Sequence, residues 1–170
     1  MPLHRLLTAM AIAALAGVPI TASAGGKLPP AAPHDVQAVQ ACLGSRSQFD
    51  AASCIGVVAN ACLKTADSQQ RMTHCMIREH TVWDLFLNND YPEVLKGLAP
   101  AAQRELRDVE RQFVANTERR CAFIRTAMGF SSYVQVVEIE ECWMHATAVQ
   151  WLWLRDFLPI KEKGPKPLKY

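Results

Sequence analysis

The stretch "HCMIREHTVWDLFLNNDY" (residues 74–91) decides the fold. Its apolar residues predict a long helix that begins near Gln70, and they stand at Met76, Val82, Trp83, Phe86 and Leu87. The same stretch places Cys75 directly after a histidine. A metal site, a reactive thiol and a structural disulfide are therefore competing interpretations, and the compartment in which the chain folds decides between them.

The first 24 residues have the layout of a secretory signal peptide. A short basic start precedes an apolar run at residues 6–20, and small residues follow at Ala22 and Ala24. The run is shorter than the ~20 residues that span a bilayer, so we expect cleavage after Ala24 and no membrane anchor in the mature chain. The sequence thus predicts a periplasmic or secreted protein.

The cysteines then predict a disulfide framework. All six lie in the predicted mature part, and an even number in an oxidising compartment is typical of structural disulfides. No C-x-x-C occurs, so a redox motif or a zinc knuckle is not indicated. We expect sequence neighbours to pair, as Cys42–Cys54, Cys62–Cys75 and Cys121–Cys142. For the first four cysteines, Cys42–Cys62 with Cys54–Cys75 is the alternative.

The histidines and acidic residues indicate neither a metal site nor an active site. His74 and Cys75 are adjacent, so on a helix they point about 100° apart and do not share one ion. No H-E-x-x-H or G-x-S-x-G motif is present. His80 and Asp84 are four residues apart on one helix face, a spacing that is more typical of an ordinary helix surface than of a catalytic pair. We expect no cofactor and no enzymatic activity.

Charge argues against a nucleic-acid partner. The formal net charge is +2, and residues 159–170 carry four lysines against one glutamate. We expect this basic tail to be disordered. The row of Arg104, Arg107 and Arg111 is interleaved with acidic residues and predicts a solvated, ion-paired helix face.

The mature chain divides into three parts before the tail. Residues 25–34 form a glycine- and proline-rich flexible lead-in, residues 35–70 a cysteine-rich helical extension, and residues 71–158 a helical domain. The extension is predicted to contain two short helices with a break at residues 44–47. In the domain, Asp90 and Pro92 resemble a helix start, so we expect a break or kink near Asn89.

Two long helices are predicted after Pro100. Apolar residues recur every three or four positions, apart from a step at Thr117, at Ala102, Leu106, Val109, Phe113, Cys121, Ile124 and Met128. This amphipathic helix ends at Gly129, and the last helix, capped by Ser131 or Ser132, stops at Pro159. An antiparallel hairpin would bring Cys121 and Cys142 together. The predicted fold is an all-α, disulfide-stapled helical bundle with a long antiparallel helical hairpin.

The order of the motifs resembles a known family. An E…D-x-x-L-N-x-x-Y signature is formed by Glu79, Asp84, Leu87, Asn88 and Tyr91. Followed by "LRDVERQF", two further cysteines and an apolar last helix, it resembles the LprI-type lysozyme-inhibitor-like family of small secreted bacterial helical domains with paired cysteines. The resemblance covers roughly residues 72–158. It implies a non-catalytic protein that binds a lysozyme or another cell-wall hydrolase, and a structural or binding role for the signature.

Three positions depart from the family pattern. Phe113 stands where the family usually has tryptophan, and Thr117 and Gln150 stand where it often has arginine. Such arginines either contact a partner or pair within the fold. An inhibitor must also present a loop or a helix end to the target cleft. The candidates are residues 64–70 and residues 129–132, although both segments also suit ordinary connectors.

The last helix, "CWMHATAVQWLWLRDF" (residues 142–157), has two apolar sectors. The one expected to face the core continues from Cys142 through Ala146, Val149, Trp153 and Phe157. The other comprises Trp151, Leu154 and Leu158. Either the N-terminal helices cover it, or it is an exposed patch for a protein partner, as in a periplasmic binding or scaffold protein.

Overall fold

A computed structural model describes residues 28–128 and 134–158. The predicted signal peptide and its cleavage site, residues 129–132 and the basic tail lie outside the described residues. The described chain is all-α, as predicted, and contains no strand. Its helices are α1 (Pro33–Gly44), α2 (Val57–Leu63), α3 (Gln69–Gly97), α4 (Pro100–Ala127) and α5 (Gln135–Leu154), with 3₁₀ helices at Gln48–Cys54 and Arg155–Phe157. None of the described helices is long and apolar enough to cross a membrane.

Local sequence explains where several helices begin. Proline occupies the first turn of α1 and of α4, where its missing N–H and fixed φ cost nothing. Ser68 precedes α3, and its hydroxyl oxygen accepts from the backbone N–H of Arg71 at 3.4 Å. The extension differs from the prediction, because its second helix is divided into a 3₁₀ helix and α2 around Gly56, whose φ is +97°.

Of the break or kink predicted near Asn89, the break is wrong, since α3 continues through Pro92 to Gly97. Proline in a helix removes one backbone hydrogen bond and crowds the preceding turn. The turn that follows is nevertheless held by tertiary packing. Val94 is 1% exposed and belongs to a cluster with Leu106, Leu154 and Leu158. Burial of this turn outweighs the local preference for a helix end.

The three long helices lie side by side, with α5 between α3 and α4. Gln150 of α5 donates to Glu110 of α4, and the Gln135 side chain donates to the carbonyl of Arg125, so α4 and α5 are antiparallel as predicted. Along α3, His80 lies beside Thr147 whereas the later Asp90 lies beside Trp151, so α3 and α5 are parallel. Helices α1 and α2 pack on α3.

The central position of α5 determines which of its two apolar sectors is buried. Trp151, Leu154 and Leu158 are 7%, 0% and 5% exposed, so this sector is covered, as one of the two alternatives had it, and does not form an exposed interaction patch. Val149, Trp153 and Phe157, which were expected to face the core, are 45%, 39% and 52% exposed. Because α5 packs against α3 on one side and α4 on the other, its buried surface is wide. Val149 and Trp153 lie on the part of α5 that faces solvent, and Phe157, in the 3₁₀ helix that follows, is also exposed.

Two apolar clusters cover the three buried residues. Trp151 packs in the larger cluster, against the rings of Trp83 and Phe86 at centroid distances of 5.5 and 5.2 Å, together with residues of α1 and α2. Leu154 and Leu158 belong to the smaller cluster with α3 and α4. The N-terminal helices therefore cover only part of the sector that they were expected to cover.

The predicted apolar face of α4 is only partly buried. Leu106 and Cys121 are buried, but Val109 and Met128 are 41% and 43% exposed. The physical reason is that α4 is an outer helix whose packing is mainly against α5.

Candidate functional site

Three disulfides hold the segments together. They are Cys42–Cys54, Cys62–Cys75 and Cys121–Cys142, with Cα–Cα distances of 5.8, 5.5 and 5.6 Å. These are the pairs of sequence neighbours, and none of the described cysteines is free. Cys75 is thus half of a structural disulfide that ties α2 to the first turns of α3.

Glu79, the first residue of the signature, is fully buried on α3 and accepts four hydrogen bonds. Its carboxylate receives the backbone N–H groups of Gly56, Val58 and Ala59 at 2.5, 2.8 and 2.8 Å. The fourth donor is Trp83 Nε1 at 2.9 Å. The three backbone donors surround the start of α2, where N–H groups lack partners within the helix and a negative charge is stabilising. Glu79 therefore fastens α2 to α3.

Gly56 makes this arrangement possible. Its φ of +97° is one that other residues rarely adopt, and a Cβ there would lie 2.7 Å from Asn60 Nδ2. This backbone conformation aims the N–H of Gly56 at the carboxylate. This role was not predicted from the sequence. The available signal was a single glycine within an otherwise helical pattern.

The other signature residues follow Glu79 along α3. Asp84 is half-buried, and burial raises the pKa of its carboxyl above the usual range. Asn88 is exposed and donates to the carbonyl of Asp84 at 2.8 Å. Leu87 and Tyr91 pack against the smaller apolar cluster. The signature thus contacts α2 through its first residue and the smaller apolar cluster, which α4 and α5 help to form, through its last residues.

The His80–Asp84 pair does not form a catalytic constellation. His80 Nε2 lies 3.2 Å from Thr147 Oγ1, and His80 makes no hydrogen bond to Asp84. Nδ1 of His80 is buried without a hydrogen-bond partner, 4.0 Å from a carboxylate oxygen of Glu140. Burial lowers the pKa of His80 to about 4 and raises that of Glu140. Near neutral pH the ring is therefore uncharged and lies between α3 and α5.

An ion pair that was not predicted from the sequence attaches α1 to α3. Asp35 is 2% exposed, and Arg78 donates to both of its carboxylate oxygens, at 2.9 and 2.5 Å. These bonds to Asp35 raise the pKa of Arg78. The residues are far apart in sequence and have no shared motif, so no local signal marks the pair.

The positions where the family often has arginine lie within the bundle. Thr117 is 3% exposed, and Gln150 is half-buried and donates to Glu110 Oε1 at 2.7 Å. Phe113 is half-buried beside them on α4. This placement favours a role in helix packing over contact with a partner.

Other candidates from the sequence remain on the surface. Arg104, Arg107 and Arg111 are exposed, and among these three only Arg111 forms an ion pair within the described part of the chain, with Asp108. Residues 64–68 connect α2 to α3, and within the described residues no cluster of three or more His, Cys, Asp or Glu side chains is placed to hold a metal.

Comparison with known proteins identifies the family. No curated protein and no solved structure gives a match to the chain. A family model described as lysozyme inhibitor LprI matches residues 59–154, more than half of the chain. The matched region contains the whole signature, two of the three disulfides, and α3, α4 and α5. The chain therefore belongs to the LprI lysozyme inhibitor family.

Proposed function

We propose that this protein acts outside the cytoplasm as a non-catalytic inhibitor of a lysozyme or a related cell-wall hydrolase. The observation that carries the proposal is the family match across residues 59–154. Three disulfides and this family membership indicate an extracytoplasmic protein, where such hydrolases act.

The architecture suits inhibition by contact. Lysozyme cleaves sugar polymers in a concave cleft that contains two carboxylic acid groups. A protein that blocks such a cleft binds more tightly when its contact surface is already ordered, because less conformational entropy is lost on binding. The three disulfides and the Glu79 hydrogen bonds supply that order in the extension and in the α4–α5 hairpin.

The polar residues support the non-catalytic part of the proposal. A hydrolase needs a nucleophile with its base, or paired carboxylates in a cleft. Here the buried carboxylate of Glu79 is saturated by four donors, and the ring of His80 is enclosed between two helices. Neither group is available to a substrate.

The test is a turbidity assay of cell-wall lysis with a panel of purified lysozymes of different structural classes. Oxidised protein should slow lysis by at least one of them in a concentration-dependent manner. Reduced and alkylated protein, which lacks the disulfides, is the control and should have no effect. The protein alone should release no soluble fragments from peptidoglycan. Unchanged lysis rates across the panel with excess oxidised protein would refute the proposal.

A further inference from the structure

The two halves of α4 are attached to the bundle in different ways. In the first half, Leu106 is buried and packs with Leu154 and Leu158 in the smaller apolar cluster. Further along, Glu110 accepts the hydrogen bond from the Gln150 side chain of α5 at 2.7 Å. The first half is therefore held by apolar burial and by a hydrogen bond between side chains.

The second half of α4, residues 118–127, buries a single side chain. That side chain is Cys121, at 0% exposure, and eight of the other nine residues are exposed. Its disulfide to Cys142 and the hydrogen bond from the Gln135 side chain to the carbonyl of Arg125, at 2.8 Å, join this half to α5. The buried residue of the second half is thus the disulfide-bonded residue itself.

Local sequence gives the second half of α4 little stability of its own. Phe123, Ile124 and Thr126 are residues of modest helix propensity. Extending an existing helix needs no new nucleus, but each added residue gains little free energy without tertiary packing. One hydrogen bond between helices also contributes only modestly. The disulfide is therefore the main attachment of this half.

The other two disulfides join segments that are also held in other ways. The first turn of α2 is bound by the carboxylate of Glu79, and α1 is bound by the ion pair of Asp35 with Arg78. Both helices also contribute buried residues to the larger apolar cluster. Opening either of these disulfides removes one attachment among several.

We propose that the Cys121–Cys142 disulfide is a redox-controlled latch. A dithiol reductant that opens it releases residues 118–127 from α5, while α3, α5 and the first half of α4 stay folded. In an extracytoplasmic compartment, the oxidation state of this one bond then decides whether the end of α4 is ordered. The latch is independent of the proposed inhibition of a hydrolase.

The reduction is a thiol–disulfide exchange with a dithiol, of the kind found in small reductants and in oxidoreductase proteins. Cys142 is half-buried and Cys121 fully buried, so a thiolate of the dithiol attacks Sγ of Cys142. The bond between the two cysteines breaks, and Sγ of Cys121 leaves as a thiolate. The second thiolate of the dithiol attacks its own sulfur in the mixed disulfide and releases Cys142. The dithiol loses two electrons and becomes a disulfide, and its two protons pass to the cysteines.

Hydrogen exchange compares the oxidised wild type with Cys121→Ala combined with Cys142→Ala, which keeps the other two disulfides. Amides of residues 118–127 should exchange at least about tenfold faster in the variant, because the covalent link no longer limits opening. Amides of α3 and of the first half of α4 should keep their wild-type rates. The matched control is Cys62→Ala with Cys75→Ala, which should leave exchange in residues 118–127 unchanged.

Limited trypsin digestion measures the same opening, because a protease cuts a helix where it transiently unfolds. Arg119, Arg120 and Arg125 lie in the second half of α4, and cleavage after them should be at least about tenfold faster in the double alanine variant. Arg104 and Arg107 are also exposed but lie in the first half, so they are internal controls. Cleavage after them should stay at the wild-type rate.

Reduction itself is tested by titrating the wild type with dithiothreitol, alkylating free thiols and mapping them by mass spectrometry. Trypsin cleavage after Arg120 should increase in step with alkylation of Cys121 and Cys142, and not with alkylation of Cys62 and Cys75. Far-UV circular dichroism at each step reports whether the remaining helices stay folded. This titration replaces the alanine variant if that variant does not fold.

Three results would overturn the latch. Wild-type exchange and cleavage rates in residues 118–127 of the alanine variant would mean that packing holds this half without the disulfide. Cleavage that follows the opening of a different disulfide in the titration would assign the release to that bond. Loss of most of the helical signal when Cys121 and Cys142 become alkylated would mean that the disulfide holds the whole bundle.

Discussion

Replacing Glu79 with glutamine should be one of the most destabilising single changes in the chain. The four donors around this carboxylate are all N–H groups, in a site that is 0% exposed. Glutamine preserves the size of the side chain but replaces one acceptor oxygen with an NH₂ donor. Each carboxylate oxygen serves two donors, so in either orientation two buried N–H groups lose their acceptor and face another donor.

The magnitude follows from the cost of unsatisfied groups. A buried donor without a partner costs roughly 1–3 kcal/mol, so two should lower the free energy of unfolding by about 4 kcal/mol. For a chain of this size the thermal midpoint should fall by roughly 10–15 °C. Glu141→Gln is the matched control, because it makes the same chemical change at an exposed position of α5. It should change stability by no more than about 0.5 kcal/mol.

Thermal unfolding followed by circular dichroism, with the disulfides intact, measures both variants. Hydrogen exchange adds a local test, because the amides of Gly56, Val58 and Ala59 donate directly to the carboxylate. They should lose protection in Glu79→Gln while the amides of α5 keep it. If Glu79→Gln shifts the midpoint no further than Glu141→Gln, the carboxylate does not fasten α2 and the structural role of the signature glutamate is refuted.

Three further perturbations test other parts of the fold. Burial lowers the pKa of His80 from 6.5 to about 4, so as the pH falls the unfolded chain binds a proton before the folded chain does. The stability contributed by the neutral ring is fully present above pH 6.5 and should fall by about 2 kcal/mol between pH 7 and pH 5. Urea unfolding at both pH values should show this loss in the wild type and not in His80→Gln. Trp151→Ala should lower stability by about 3–5 kcal/mol in urea, whereas Trp153→Ala should cost much less, and equal losses would contradict the assigned orientation of α5. Gly56→Ala should lower the free energy of unfolding by about 1–2 kcal/mol, measured in thermal melts, because Gly56 has a positive φ. Gly97→Ala, with open space around its Cα, should leave the free energy of unfolding nearly unchanged. If both variants are as stable as the wild type, the turn at Gly56 does not require glycine.

The fold class and the long helices could be predicted because their signals are local. Helical periodicity and the capping serine are contained within short windows around α3 and α4. The even set of cysteines in a chain with a predicted signal peptide indicated disulfides, and neighbouring cysteines need only short loops to meet. The signature and its spacing likewise lie within one helix, so the family resemblance, now confirmed, was accessible from the sequence.

The orientation of α5 could not be predicted in the same way. A helix with one packing face buries one apolar stripe, and the stripe that continues from Cys142 was the natural choice. α5 instead packs against α3 and α4 on two sides. Trp151 and Leu154 are buried as a result, and Trp153 is left outside. The error at Pro92 has a similar origin, because local capping signals were outweighed by the burial of Val94 in a cluster built from distant segments.

The candidate site was predicted in part for a different reason. Glu79 was identified from the spacing of the signature, but its partners are mostly backbone N–H groups, which carry no sequence signal of their own. Only the unusual φ of Gly56 hints at them, and φ is not visible in a sequence. The Asp35–Arg78 pair joins α1 to α3 across a separation in sequence that no local pattern reports.

Glu79 and the Cys62–Cys75 disulfide hold α2 from opposite ends. α2 has only 7 residues and is too short to be stable alone, yet its first turn is bound by the carboxylate and its last turn by the disulfide. The preceding 3₁₀ helix is in turn fixed by Cys42–Cys54 and by the hydrogen bond from Gln48 to Asp156, in the 3₁₀ helix after α5. The signature glutamate therefore also stabilises residues that lie before the family-matched region, which begins at residue 59. Loss of Glu79 should therefore increase amide hydrogen exchange in α2 and in the preceding 3₁₀ helix even at temperatures where the bundle remains folded.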